Sequence, residues 1–105
     1  GLTYDTTLGY ADYIGFRCGV CYEYPVFDIL ERKKLSLLER PLIAMDCTVT
    51  DERYMNLGTG TEAKEMLARM KKTCEKYNGD FTLLWHNTYF VDQKYSDLYI
   101  ATLSA

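Results

Sequence analysis

The chain has only one histidine, His86, among 105 residues. Any imidazole chemistry therefore falls to one position, and these residues cannot supply a metal site built on two histidines. Proline is equally scarce, at Pro25 and Pro41 alone. No run approaches the roughly 20 apolar residues of a membrane span. No charged-then-apolar leader opens the chain, so no signal peptide is read. Basic residues gather only at Arg32-Lys33-Lys34 and Lys71-Lys72, and the net charge is -3. That balance argues against nucleic acid as the main partner.

What is present is 48% hydrophobic and 26% charged residue content, ordinary for a globular chain and sized for one domain or part of one. Ten tyrosines are many for this length. They suit a surface that touches sugars or another protein, and they also fill cores. Four cysteines stand at Cys18, Cys21, Cys47 and Cys74. Cys47 lies inside an apolar run and Cys74 on a helical apolar face, where a thiol behaves as a small hydrophobe. All four are read as reduced, which points to a cytoplasmic compartment. Cys18-x-x-Cys21 has two further readings, a redox pair or half a zinc site. A thioredoxin-like pair should open a helix after a strand, which the glycine-flanked Gly19-Val20 does not suit. No second pair is present to complete a zinc ribbon.

Phe81-Thr82-Leu83-Leu84-Trp85-His86 is a short apolar run behind Asn78-Gly79, and reads as a buried strand over 81–86. Leu42 to Val49 is apolar on both faces, as in a covered parallel strand, with Asp46 as a charge that must be paired. Between them Ala63, Met66, Leu67, Met70, Cys74 and Tyr77 recur at helical spacing, predicting a helix over 61–77. Thr59 and Glu62 offer its capping box and Asn78-Gly79 its stop. Residues 2–7 predict a short strand, and residues 13–19 a brief extended piece. Residues 26–38 leave helical turn and strand both open. A last helix over 97–103 would take Ser96 or Asp97 as its cap.

Strand, helix and strand make a βαβ unit, whose parallel strands end on one sheet edge. Neighbouring strands would bring Asp46 to His86 there. A carboxylate beside an imidazole favours its charged form and fixes its tautomer, as a general acid requires. A buried Asp–His pair that only joins two strands is the other reading of the same spacing.

Gly15-Phe16-Arg17-Cys18-Gly19, Tyr24-Pro25-Val26-Phe27-Asp28, Met45-Asp46-Cys47-Thr48 and Leu83-Leu84-Trp85-His86-Asn87, in that order, resemble the C-terminal part of the polysaccharide deacetylases. These are NodB-like carbohydrate esterases, and the resemblance spans roughly residues 3–90. It implies an α/β fold, a partial (β/α) barrel with parallel strands that is the C-terminal half of the NodB-like barrel. It implies that His86 protonates the leaving amine, that Asp46 tunes His86, and that Arg17 orients the catalytic base. Leu84 and Trp85 would meet the substrate, Leu84 by lining the acetyl pocket. The family's early Asp-Asp element and its metal-binding histidine pair have no counterpart here. The resemblance therefore implies no metal in this chain, a zinc-like divalent ion in a longer parent, and a segment inactive alone. It also implies a carbohydrate as partner and, for an isolated half-barrel with open edges, a homodimer. The alternative is a non-catalytic carbohydrate- or protein-binding module.

Overall fold

The computed structural model describes all of residues 1–105. Three strands form its first sheet: β1 (Tyr4–Asp5), β2 (Tyr24–Asp28) and β3 (Lys33–Glu39), in the order β1-β3-β2. Central β3 pairs parallel with β1 and antiparallel with β2. The hairpin turn is held by Asp28, whose Oδ1 accepts from the backbone N–H groups of Leu30 and Glu31 at 3.0 and 3.1 Å. Arg32 closes the turn at φ 53°. Pro25 is tolerated because β2 is an edge strand and no neighbour needs its missing N–H. Leu35 and Leu37 turn inward while Lys34 and Ser36 face solvent, the two-residue period of a strand.

The second half is built from β4 (Ala44–Met45), α1 (Asp46–Thr50), α2 (Thr61–Lys76), β5 (Leu83–Leu84), a 3₁₀ turn over Asn87–Val91 and α3 (Gln93–Ser104). β4 and β5 are parallel neighbours, with Ala44 opposite Leu83 and Met45 opposite Leu84. The expected parallel pair therefore exists, but the expected barrel does not. The fold is a small mixed α/β structure with a three-stranded mixed sheet and a separate two-stranded parallel one. Two features rule out half a barrel. The longest strands form an antiparallel hairpin, which an all-parallel barrel lacks. Each parallel strand is only two residues long, because the chain leaves β4 at Asp46 and turns into α1. The predicted strand over 42–49 is thus half helix. The extended piece over 13–19 is likewise bends and turns, with Gly19 at φ 75°.

Helix α2 forms where its apolar period predicts. Ala63, Leu67 and Cys74 are buried, and Met66 and Met70 pack beside them. Its ends differ from expectation. Gly60 is the N-cap and no side chain bonds to it, so Thr59 and Glu62 form no capping box. At the other end Tyr77 is 62% exposed, because it is the C-cap rather than a member of the buried stripe. Asn78 takes the left-handed position at φ 56°. Its N–H donates to the Glu75 carbonyl at 3.0 Å, and that of Gly79 to the Cys74 carbonyl at 2.8 Å, the paired bonds of a Schellman stop. Gly79 is required by close approach: a Cβ there would lie 2.6 Å from the Cys21 carbonyl oxygen. Helix α3 starts earlier than predicted. Asp92, not Ser96 or Asp97, accepts from the Lys94 N–H.

The core joins Ile14, Ala44, Val49, Ala63, Leu67 and Leu98, one or two residues from each element around the parallel pair. No basic residue stands in the last turn of α3. Lys71 of α2 serves instead, its Nζ donating to the Thr102, Leu103 and Ala105 carbonyls at 3.1, 2.7 and 2.9 Å. A cation there also opposes the negative end of the helix dipole. Lys71→Met should cost about 1 kcal/mol and speed amide exchange in the last turn of α3, read by hydrogen-exchange NMR.

At the end of β3, Glu39 is 1% exposed, and its Oε1 accepts from the Leu8 N–H at 3.1 Å. It lies opposite Asp5 in the parallel register. Burial, then the Asp5 carboxyl, push Glu39 above the ordinary carboxylate value. Asp5 is lowered by Glu39 and by the Thr7 hydroxyl, which donates at 2.7 Å. Of the two carboxyls, Glu39 is the one shifted toward its protonated form. A carboxyl raised on folding contributes stability below its unfolded value, and that contribution is lost as pH rises through the folded one. The Glu39 window lies above pH 4.5 and the Asp5 window below pH 3.8, so they do not overlap. Glu39→Gln keeps an acceptor for Leu8 and a donor for Asp5. Urea unfolding at several pH values should show that it abolishes the stability decline above pH 4.5.

Candidate functional site

Parallel strands end on the same edge, and the residues that follow β4 and β5 meet there. Asp46 opens α1 directly after β4, and His86 stands two residues beyond Leu84. The Asp46 side chain is 0% exposed and the His86 side chain 46%. His86 Nδ1 lies 2.8 Å from Asp46 Oδ1 and 3.0 Å from Oδ2. The His86 backbone N–H also donates to Oδ2, and the Cys47 N–H donates to Oδ1 at 2.6 Å. Two backbone donors thus hold the carboxylate still, and a carboxylate accepts only from a protonated Nδ1. This bond fixes the tautomer and ring orientation and leaves Nε2 as the free nitrogen.

The strand period sorts the neighbours. Leu83 and Trp85 face the core, while Leu84 shares the outer face with His86 and is 40% exposed. Trp85 packs beneath the site, its ring 5.4 Å from that of Tyr99, and its buried indole N–H has no acceptor. It supports the floor and does not share the outer face. Arg17 is not joined to the pair. Its guanidinium donates to the Gly9 carbonyl at 3.1 Å and makes no bond to Asp46 or His86.

Two residues escaped the sequence reading. Cys47 was read as a small hydrophobe in an apolar run, but it is half-buried beside the dyad. Burial first, then the Asp46 charge and a hydrogen bond to it, push the Cys47 thiol up. Tyr89 stands edge-on to His86, with ring centroids 6.1 Å apart, and stacks on Tyr95 at 4.6 Å. Burial, then Cys47 and Asp46, raise its phenol. The available signal was spacing, since in a 3₁₀ turn residues three apart eclipse, as His86 and Tyr89 do. Cys18 and Cys21 do not pair. The Cys18 thiol, then burial, raise the Tyr24 phenol to about 12. Cys21 meets Cys74, whose thiol burial and Cys21 push up to about 12. All four cysteines are free.

Searches of protein-family models, curated proteins and solved structures return no match to this chain. No helix is long and apolar enough to cross a membrane. The site must therefore be judged on its geometry: a half-exposed imidazole aligned by a buried carboxylate, beside an exposed leucine. That arrangement can move a proton at Nε2.

The two members of the dyad should separate in stability. Asp46→Ala strands two backbone donors and should cost about 3 kcal/mol or more. His86→Ala opens the carboxylate to water and should cost about 1 kcal/mol. Urea denaturation of both variants measures the difference.

Proposed function

We propose that this chain supplies the proton-donating part of a carbohydrate deacetylase of the NodB-like type, acting on N-acetyl or O-acetyl groups. The observation that carries the reading is the dyad itself. Asp46 holds the Nδ1 side of His86 from within, and the Nε2 side stays open to solvent. In that role protonated His86 gives its Nε2 proton to the leaving amine or alkoxide as the tetrahedral intermediate collapses. The Asp46 carboxylate holds the ring at one angle. Leu84, exposed on the same face, offers an apolar contact for an acetyl methyl. Arg17, bonded to the Gly9 carbonyl, would orient a base that reaches this edge from polypeptide outside these residues.

The family's metal does not fit the residues here. It calls for a histidine pair with a carboxylate, and this sequence holds a single histidine. The hydroxide-forming half of the reaction therefore has to come from outside this sequence, and the segment is expected to be inactive alone. The partner in this reading is a carbohydrate, and the compartment is cytoplasmic. Apolar Ile29 and Leu30 stand exposed at the hairpin tip, where a second copy of the chain would add to form a homodimer.

A binding module is the second reading, and one cleft favours it. A cavity of about 300 Å³ is lined by Phe16, Val20, Cys21, Tyr22 and Tyr77, with no residue of the dyad among them. Aromatic walls of this kind suit a sugar face.

Acetate release from an N-acetylated oligosaccharide separates the two. The 105 residues alone should release none above buffer. In the full-length protein His86→Ala should lower kcat by about a hundredfold or more, and Asp46→Asn should cost less. A rate indifferent to His86 would leave only the binding module.

A further inference from the structure

We propose that Asp46, Cys47 and His86 form a binding site for a thiophilic divalent cation, with Zn²⁺ as the reference ion. The inference goes beyond the deacetylase reading and competes with it, since an ion at His86 Nδ1 replaces the Asp46 bond on which the acid role rests. One carboxylate oxygen, the Cys47 Sγ and one imidazole nitrogen all lie within 4.8 Å of one another. The set mixes a thiolate, an imidazole and a carboxylate, the three donor types that zinc takes. Four-coordinate zinc with bonds of about 2.0 to 2.3 Å places its donor atoms roughly 3.3 to 3.7 Å apart. The Asp46 oxygen and His86 Nδ1, now 2.8 Å apart, would have to part slightly. The Cys47 Sγ would have to close by about 1 Å at most, within reach of a rotation about χ1.

Charge and protons balance. A thiolate and a carboxylate neutralise the ion, and the imidazole stays neutral. The Cys47 thiol proton leaves to solvent as the S–metal bond forms. The His86 proton moves from Nδ1 to Nε2 through solvent, and Nδ1 takes the ion in its place. Three protein donors leave a fourth position for water, as in open zinc sites.

The surroundings already hold the ligands. Backbone N–H groups of Cys47 and His86 bond the two carboxylate oxygens, the outer-shell support that metal-binding carboxylates use. The ion would enter on the half-exposed side of His86, since Asp46 has no solvent face. No other cysteine joins a cluster of three such donors. Cys21 and Cys74 are buried together in a second core cluster.

The test titrates Zn²⁺ into the chelator-stripped 105-residue chain by calorimetry, with Co²⁺ as an optical probe of thiolate ligation. The expected result is one ion per chain, a thiolate-to-cobalt charge-transfer band, and loss of the His86 Nδ1–H signal in ¹⁵N NMR. Cys47→Ser and His86→Ala should each weaken binding by at least about tenfold, with unchanged far-ultraviolet circular dichroism. Asp46 is left intact because the fold leans on it. Absence of Zn²⁺ binding at micromolar concentration would overturn the proposal, as would a folded Cys47→Ser variant that binds like the unaltered chain. Acetate release plays no part in these measurements, so a negative result here leaves the acid role of His86 standing.

Discussion

A carboxylate without solvent exposure is the point on which the two-stranded half of this fold depends. Removing an ionised carboxylate from water costs several kcal/mol even after the protein relaxes. Asp46 offsets that cost with three donors from two separate segments: the Cys47 N–H, the His86 N–H and the His86 ring. The Cys47 N–H belongs to the first turn of α1, where a helix has no internal acceptors. The His86 N–H lies just past the last paired residues of β5. One side chain therefore satisfies backbone at both strand ends. It ties together residues 40 apart in sequence and closes the sheet edge that a longer ladder would otherwise have extended.

The β-rich segment that Asp46 opens is helical all the same. Thr48, Val49 and Thr50 are β-branched and would favour a strand by propensity alone. Here burial and side-chain bonding decide. Val49 lies in the core, the Thr50 hydroxyl donates to the Asp46 carbonyl at 3.0 Å, and the Thr48 hydroxyl donates to the Ala11 carbonyl at 2.7 Å. That last bond anchors the long loop over residues 8–20. The loop is pinned again where the Gly15 N–H meets the Ile43 carbonyl at 3.0 Å and the Leu42 N–H meets the Leu8 carbonyl at 2.9 Å. A Cβ on Gly9 would stand 2.8 Å from the Leu42 carbonyl oxygen, so only glycine allows this approach. Arg17 rides on this loop, where its guanidinium donates to the Gly9 carbonyl.

Legibility in the sequence depended on whether a periodic pattern or a connection rule pointed to the element. Helix α2 was readable because its apolar residues repeat over four turns and one face is buried. The parallel pairing of β4 with β5 was readable because a helix between two apolar runs leaves few other connections. The meeting of Asp46 with His86 follows from that pairing. Two contacts distant in sequence lay outside any such pattern. Lys71 capping α3 and Thr48 pinning Ala11 have no local trace. The start of α3 depended on Asp92, which sits in a polar stretch that resembles a loop. The hairpin of β2 and β3 was undecided because its solvent-facing positions carry charge while Phe27 stands exposed, which blurs the period. The barrel was inferred from likeness to a family, and two-residue strands cannot curve into one.

The dyad divides its work between inside and outside. Asp46 is buried and bound to backbone, so its position is set by the same bonds that hold the fold. His86 adds its ring to that fixed point and presents the free nitrogen to solvent. A proton-transfer group of this kind needs little reorganisation when charge develops, because its partner is already aligned and desolvated. The cost is that the tuning residue cannot be varied without loosening the sheet edge, whereas the reacting residue can. Cys47 sits on that boundary, half-buried, with its backbone N–H committed to Asp46 and its thiol beside the same carboxylate. The chemistry available at this edge is set by what approaches the half-exposed ring of His86.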